Sequence, residues 1–225
     1  MVVKPELPAT VPETTWARLW FNVLRMLGWS VRGVCPPERK FIICIAPHTS
    51  NWDWILLVFA SRALNLPSPV FVAKHSIFRG PLGPIMRKLG GIPLDRERSR
   101  NFVEQIVAEY ARRDELVIGI TPEGTRSKAR YWRSGFYNIA LGAGIPIALG
   151  YLDYGQREIG MSAPFYPTGD IEADFVQIRD FYTGIQARFP DLFGEPALRP
   201  AAANAVNKAI EAGTEATSAA ADQAP

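Results

Sequence analysis

The chain has 225 residues, of which 48% are hydrophobic and 21% charged, enough to bury a substantial core in one globular domain. Two cysteines and two histidines exclude a disulfide framework and a zinc cluster. The formal net charge is only +3, but residues 62–135 carry a net +7 and residues 136–225 a net −6. A basic middle suits an anionic substrate, an acidic carrier protein or anionic lipid headgroups. Without a zinc-finger, helix-turn-helix or RNA-recognition pattern, nucleic acid is not the expected partner.

The first residues include Lys4, Pro5, Glu6, Pro8 and Pro12, which do not make a signal peptide. No run reaches the length of about 18 apolar residues that spans a bilayer. The expected location is cytoplasmic. Residues 14–32 repeat large apolar side chains at helical spacing, among them Trp16, Leu19, Trp20, Leu24, Trp29 and Val31, while Arg18, Arg25 and Arg32 recur seven apart. Such a helix can lie at the inner face of a membrane or pack on the domain, and one helix can do both. Residues 1–36 are therefore set apart as an N-terminal amphipathic segment.

Phe41-Ile42-Ile43-Cys44-Ile45 is too short for a helix and suits a strand buried on both faces. Ala46-Pro47-His48-Thr49-Ser50-Asn51-Trp52-Asp53 follows, with Ser50 or Asn51 placed to cap a helix beginning near Trp54. His48 thus sits where ligands gather in open α/β sheets, beyond the carboxyl end of a strand. Asp53 is near enough in sequence to accept the Nδ1 proton and leave Nε2 as a base. Spacing alone also permits a histidine in a polar niche and an aspartate serving as a helix-start charge.

Val70–Ala73 is the next expected strand, ending at Lys74-His75. Lys74 suits a phosphate or thioester-donor contact, or plain solvation. Pro81 to Lys88 suits a short helix, Ile92-Pro93-Leu94 a brief strand feeding Asp95-Arg96, and Ser99 to Arg113 an amphipathic helix. The run Leu116–Ile120 then ends in Thr121-Pro122-Glu123-Gly124-Thr125-Arg126-Ser127. Its Pro and Gly bracket a tight turn, and Arg126 adds a planar fork of donors suited to phosphate.

Taken together, these stretches resemble the glycerolipid acyltransferase family typified by 1-acylglycerol-3-phosphate acyltransferase. Its first motif, His, four residues, Asp, is matched by His48 and Asp53, and its third by Pro122 to Ser127. Its second is matched by Gly90 to Arg96, with Pro93 where Phe is usual, and its fourth by Ala143 to Leu149. Four motifs in order are the specific part of the resemblance. Gly150-Tyr151-Leu152-Asp153-Tyr154 departs from the family's Pro-Val continuation.

The resemblance implies acyl transfer from acyl-coenzyme A or acyl carrier protein to a hydroxyl of a lysophosphatidate-like acceptor, with His48 and Asp53 as the catalytic pair. Lys74, Arg96, Glu123, Gly124, Thr125 and Arg126 would line the substrate site, with Glu123 fixing Arg126 or a hydroxyl. No metal or further cofactor is implied. The rivals are a thioesterase-type hydrolase and a non-catalytic lipid-binding protein.

Further along, Trp132 and Arg133 border or cover the entrance, and Gly135 to Ala143 suits a helix. Residues 157–161 and 164–166 suit short edge strands, and Asp170 caps a helix running to about Ala187. The expected fold is α/β, a mostly parallel mixed sheet with helices on both faces. The acyltransferase domain is expected over residues 37–200. Residues 201–225, Ala-rich and poor in large apolar side chains, suit a disordered tail.

Overall fold

The computed structural model describes residues 7–66, 69–74, 78–80, 83–88, 91–94 and 102–200. In chain order the elements are α1 (Thr15–Met26), β1 (Ser30–Arg32), β2 (Lys40–Ala46), α2 (Asn51–Ala63), β3 (Pro69–Lys74), α3 (Gly83–Lys88), β4 (Gly91–Leu94), α4 (Phe102–Arg112), β5 (Leu116–Ile120), α5 (Gly135–Ala143), β6 (Ile147–Asp153), β7 (Glu158–Met161) and α6 (Ile171–Tyr182). A 3-10 turn follows at Pro190–Leu192.

The strands form one seven-stranded sheet in the order β1-β7-β6-β2-β5-β3-β4. From β6 to β4 every pair is parallel. At the other end β7 turns back antiparallel to β6 and carries β1 alongside. β7 is therefore an interior strand, and Phe165 of the expected second edge strand makes only an isolated bridge to Ile147.

Alternation along β2 builds the core, because successive side chains leave a strand on opposite faces. Phe41, Ile43 and Ile45 pack with Leu24 of α1 and with Leu56, Ala60 and Ala63 of α2. Ile42, Cys44 and Ala46 pack on the other face with residues of α4, α5 and α6. Two hydrogen bonds fix α6 over the central strands β2 and β6: Tyr182 Oη donates to Cys44 O at 2.6 Å and reaches Gly150 O at 3.1 Å.

The helix expected over residues 14–32 ends early, at Met26. Gly28 adopts a φ of 80°, its N–H reaches Arg25 O at 3.0 Å, and the Trp29 N–H reaches Leu24 O at 2.9 Å. That paired closure needs a left-handed residue, which glycine adopts at little cost. Trp29 and Val31 then enter the α1/α2 core, and Arg32, on β1, pairs with Glu158 instead of extending an arginine stripe. The helix capped by Asp170 likewise stops at Tyr182, short of Ala187.

On α1, Ala17 and Leu24 are buried and Trp20 stacks on Phe59 at 4.8 Å, whereas Trp16, Leu19, Met26 and Leu27 face out beside Arg18 and Arg25. Among the described residues no helix is long and apolar enough to cross a membrane.

Candidate active site

Three neighbouring parallel strands, β5, β2 and β6, deliver the site at their carboxyl ends. Ala46 pairs with Tyr151 of β6, and Cys44 with Ile120 of β5. The chain leaving β2 therefore lies between the segments that leave its two neighbours. Ligands collect at this end of such sheets.

The loop after β2 is tied down by its own helix. Ser50 caps α2, its Oγ accepting the Trp52 N–H at 3.1 Å. Asp53 completes the reciprocal cap, its Oδ2 accepting the N–H groups of Ser50 at 2.7 Å and Thr49 at 2.8 Å. The arrangement draws Asp53 inward until it is 1% exposed.

His48 Nδ1 then lies 3.2 Å from Asp53 Oδ2, on a side chain still about one-fifth exposed. The ring N–H is close to that oxygen without being aligned on it as a hydrogen bond. With Nδ1 turned to the carboxylate, Nε2 is the nitrogen left for a substrate proton. Burial pushes the Asp53 carboxyl up, but contacts from His48, from the Tyr154 hydroxyl and from the Ser50 N–H outweigh it and hold the group below its ordinary range. Asp53 therefore stays a carboxylate.

Glu123 supports the same loop from β5. Only 4% exposed, it accepts the His48 backbone N–H at 3.1 and 3.3 Å through its two oxygens. Burial, reinforced by Asp53 and partly offset by that N–H, pushes its carboxyl up to about 8. This replaces the expectation that Glu123 fixes Arg126. The Arg126 guanidinium donates instead to Asn51 Oδ1, at the first residue of α2, and is exposed.

Gly124 turns at a φ of 65°, and a Cβ there would come within 2.7 Å of Arg133 Nε. Thr125 is exposed, its Oγ1 accepting the Ser127 N–H at 3.2 Å. Trp132 does not border an entrance. It is buried, donates to Gly194 O at 3.3 Å and meets Phe175 and Tyr182 edge-on. Lys74 closes β3, its side chain outside the described residues, as are His75 and Arg96 altogether.

Two further residues stand at the site. Tyr154, one position past β6, donates from its hydroxyl to Asp53 Oδ1 at 2.6 Å. Arg188 is exposed and lies over the rings of Trp52, Tyr154 and Phe189 at 5.7–5.9 Å, and the Phe189 N–H donates to Thr49 Oγ1 at 3.2 Å. Arg126 and Arg188 thus touch adjacent residues of α2, Asn51 and Trp52. The signal for Tyr154 was its position at the end of an apolar run, like His48 and Glu123; nothing in the sequence ties Arg188 to the site. Among the described residues no group of three His, Cys, Asp or Glu could hold a metal ion.

Comparison with known proteins gives a family and a fold. The acyltransferase family matches residues 31–148. Over 122 residues the chain is 25% identical to the 1-acyl-sn-glycerol-3-phosphate acyltransferase of Streptococcus pneumoniae (strain ATCC BAA-255 / R6). That stretch covers 48% of this chain and 45% of the relative, so the match spans less than half the relative's length. The fold is similar to that of the 1-acyl-sn-glycerophosphate (LPA) acyltransferase PlsC from Thermotoga maritima, with a TM-score of 0.50, 21% identity and 68% of each chain covered.

Proposed function

The chain belongs to the acyltransferase family, and we propose that it moves a fatty acyl group from a coenzyme A or acyl carrier protein thioester to a hydroxyl of a lysophosphatidate-like acceptor. The observation that carries this reading is His48 Nδ1 3.2 Å from the buried Asp53 carboxylate, at the ends of the central strands.

An alcohol is a weak nucleophile at neutral pH. His48 Nε2 takes its proton as the oxygen attacks the thioester carbonyl, and Asp53 stabilises the imidazolium that results. Collapse of the tetrahedral adduct breaks the carbon–sulfur bond, and the imidazolium returns the proton to the departing thiolate. No covalent enzyme intermediate, metal or further cofactor enters.

The N–H groups of His48, Thr49 and Ser50 are already engaged by Glu123 and Asp53. Donors for the developing oxyanion therefore come from outside this loop. Arg126, with Lys74 and Arg96, is assigned to the acceptor phosphate, and Glu123 to holding the His48 loop. The exposed apolar edge of α1, flanked by Arg18 and Arg25, suits peripheral docking on the inner face of an anionic membrane, where such an acceptor resides.

The test offers purified protein an acyl-coenzyme A and, separately, an acyl-loaded acyl carrier protein, each with and without lysophosphatidate, and follows thiol release. Release that depends on the acceptor supports the transferase. Release without it makes the protein a hydrolase, and none under either condition makes it a lipid-binding protein.

A further inference from the structure

Asp53 spends its two oxygens differently. Oδ2 serves the loop and His48, accepting Thr49 and Ser50 N–H groups and lying 3.2 Å from Nδ1. Oδ1 receives the Tyr154 hydroxyl at 2.6 Å, from 101 residues away. Tyr154 arrives there because β6 runs parallel to β2 with Tyr151 opposite Ala46, so the residue just past β6 emerges level with the loop.

The tyrosine is itself held. Its N–H donates to Gln186 O at 2.8 Å, and its ring meets Trp29 edge-on at 4.9 Å. Burial and the bond to Asp53 push the phenol up, Arg188 pulling the other way, so the hydroxyl stays a donor at neutral pH. Tyr154 lies beyond the 31–148 span of the family match.

We propose that Tyr154 is a positioning residue for the His48–Asp53 pair, holding the carboxylate plane so that Oδ2 faces the imidazole and sharing the charge that would otherwise fall on that oxygen. A buried carboxylate oxygen without a donor would be poorly solvated, and the side chain would turn to find one. Among the described residues, the charged and titratable groups around the pair are Glu123 after β5, Tyr154 after β6, and Arg126 and Arg188 at the rim. Tyr154 alone among them donates a side-chain hydroxyl to the carboxylate. Its kinetic consequence rests on the proposed acyl transfer, but its effect on His48 does not.

The test is Tyr154→Phe, which removes one oxygen and keeps the ring against Trp29. The chain has only two histidines, so imidazole nitrogen NMR with ¹⁵N-histidine follows His48 directly, its signals assigned by their loss in His48→Gln. Loss of the donor should therefore move the His48 titration midpoint by roughly 0.3–1 pH unit from wild type: down where the carboxylate turns away from the imidazole, up where Oδ2 stays on it and carries more of the charge. In turnover, kcat should fall about ten- to a hundredfold with KM for donor and acceptor within about twofold, and the acid limb of the pH profile should move in the same direction as the midpoint.

Trp29→Leu is the control. It loosens the ring and keeps the hydroxyl, so it should lower thermal stability and leave the His48 midpoint in place. A Tyr154→Phe protein whose His48 midpoint matches wild type overturns the proposal, whatever its activity, and returns Tyr154 to packing. If wild type shows no acyl transfer, the functional reading fails while the titration still decides the role of Tyr154.

Discussion

The Glu123 carboxyl group lies with both oxygens on the backbone N–H of His48, at 3.1 and 3.3 Å, so the third motif fixes the first through the main chain. A glutamate that looks from sequence like a substrate ligand thus holds the His48 loop in place.

That burial carries a pH signature. Glu123 has its carboxyl raised from an ordinary 4.5 to about 8, so the folded protein keeps it protonated where the unfolded chain ionises it. Its contribution to stability is fully present below about pH 4.5 and is lost as the pH rises towards about 8. Glu123→Gln, always neutral and still able to accept the His48 N–H, should match wild type near pH 4.5 and exceed it by on the order of a few kcal/mol near pH 8. Urea unfolding of both proteins across that range checks it. A constant difference between them would mean that Glu123 ionises normally.

His48 and Asp53 should part company when substituted. His48→Ala removes a partly exposed loop side chain, so turnover should vanish while stability changes by less than about 1 kcal/mol. Asp53→Asn should lose about 10⁴-fold in turnover, as when a catalytic histidine is left with the wrong tautomer. It should also destabilise by roughly 1–3 kcal/mol, because an amide nitrogen cannot accept from Tyr154 or from the capping N–H groups. Thermal melts beside single-turnover rates separate the two effects. More than a few per cent of turnover left in His48→Ala would end its role as base.

Membrane docking makes a sharper demand now that α1 has two sides. Serine at Trp16, Leu19 and Leu27, all at least 49% exposed, should leave the fold intact and release the protein from anionic vesicles. Leu24→Ala, at a fully buried position, should instead cost about 2–5 kcal/mol. If the triple serine variant sediments with vesicles as wild type does, the exposed edge of α1 is not the lipid contact.

What could be seen in the sequence was local. A β-branched run, a loop with His48, a Ser50 cap and Asp53 on the first helical turn all fall within 14 residues, and their chemistry follows from spacing. Tyr154 and Arg188 reach the same place only because β6 lies beside β2 and the chain after α6 folds back onto Thr49. No periodicity encodes that. The N-terminal helix is shorter than its apolar spacing suggests for a different reason: Trp29 and Val31 keep a helical spacing beyond Gly28, yet that glycine closes the helix and the same apolar residues serve the sheet. Trp132 lay in a polar loop by sequence and in the core by packing against α6.

The two rim arginines test what the acceptor is. Arg126 is tethered to Asn51, and Arg188 is flanked by Trp52, Tyr154 and Phe189, so both guanidinium groups are held near the start of α2 while remaining exposed. If they receive the acceptor phosphate, Ala at either position removes a charge-assisted contact worth roughly 1.5–3 kcal/mol, about ten- to more than a hundredfold in kcat/KM. The loss should appear mainly in acceptor KM if the phosphate is held equally in ground and transition states, and in kcat as well if the contact orients the hydroxyl. Donor saturation should change much less. Wild type should prefer a phosphate-bearing acceptor over its dephosphorylated analogue, and each variant should narrow that preference. Lysine at position 126 should rescue only in part, since it restores charge without the planar fork. Equal losses on both acceptors, with an unchanged preference, would show that the arginines only brace the loops: Arg126 through Asn51, and Arg188 through the aromatic rings that lead to Tyr154.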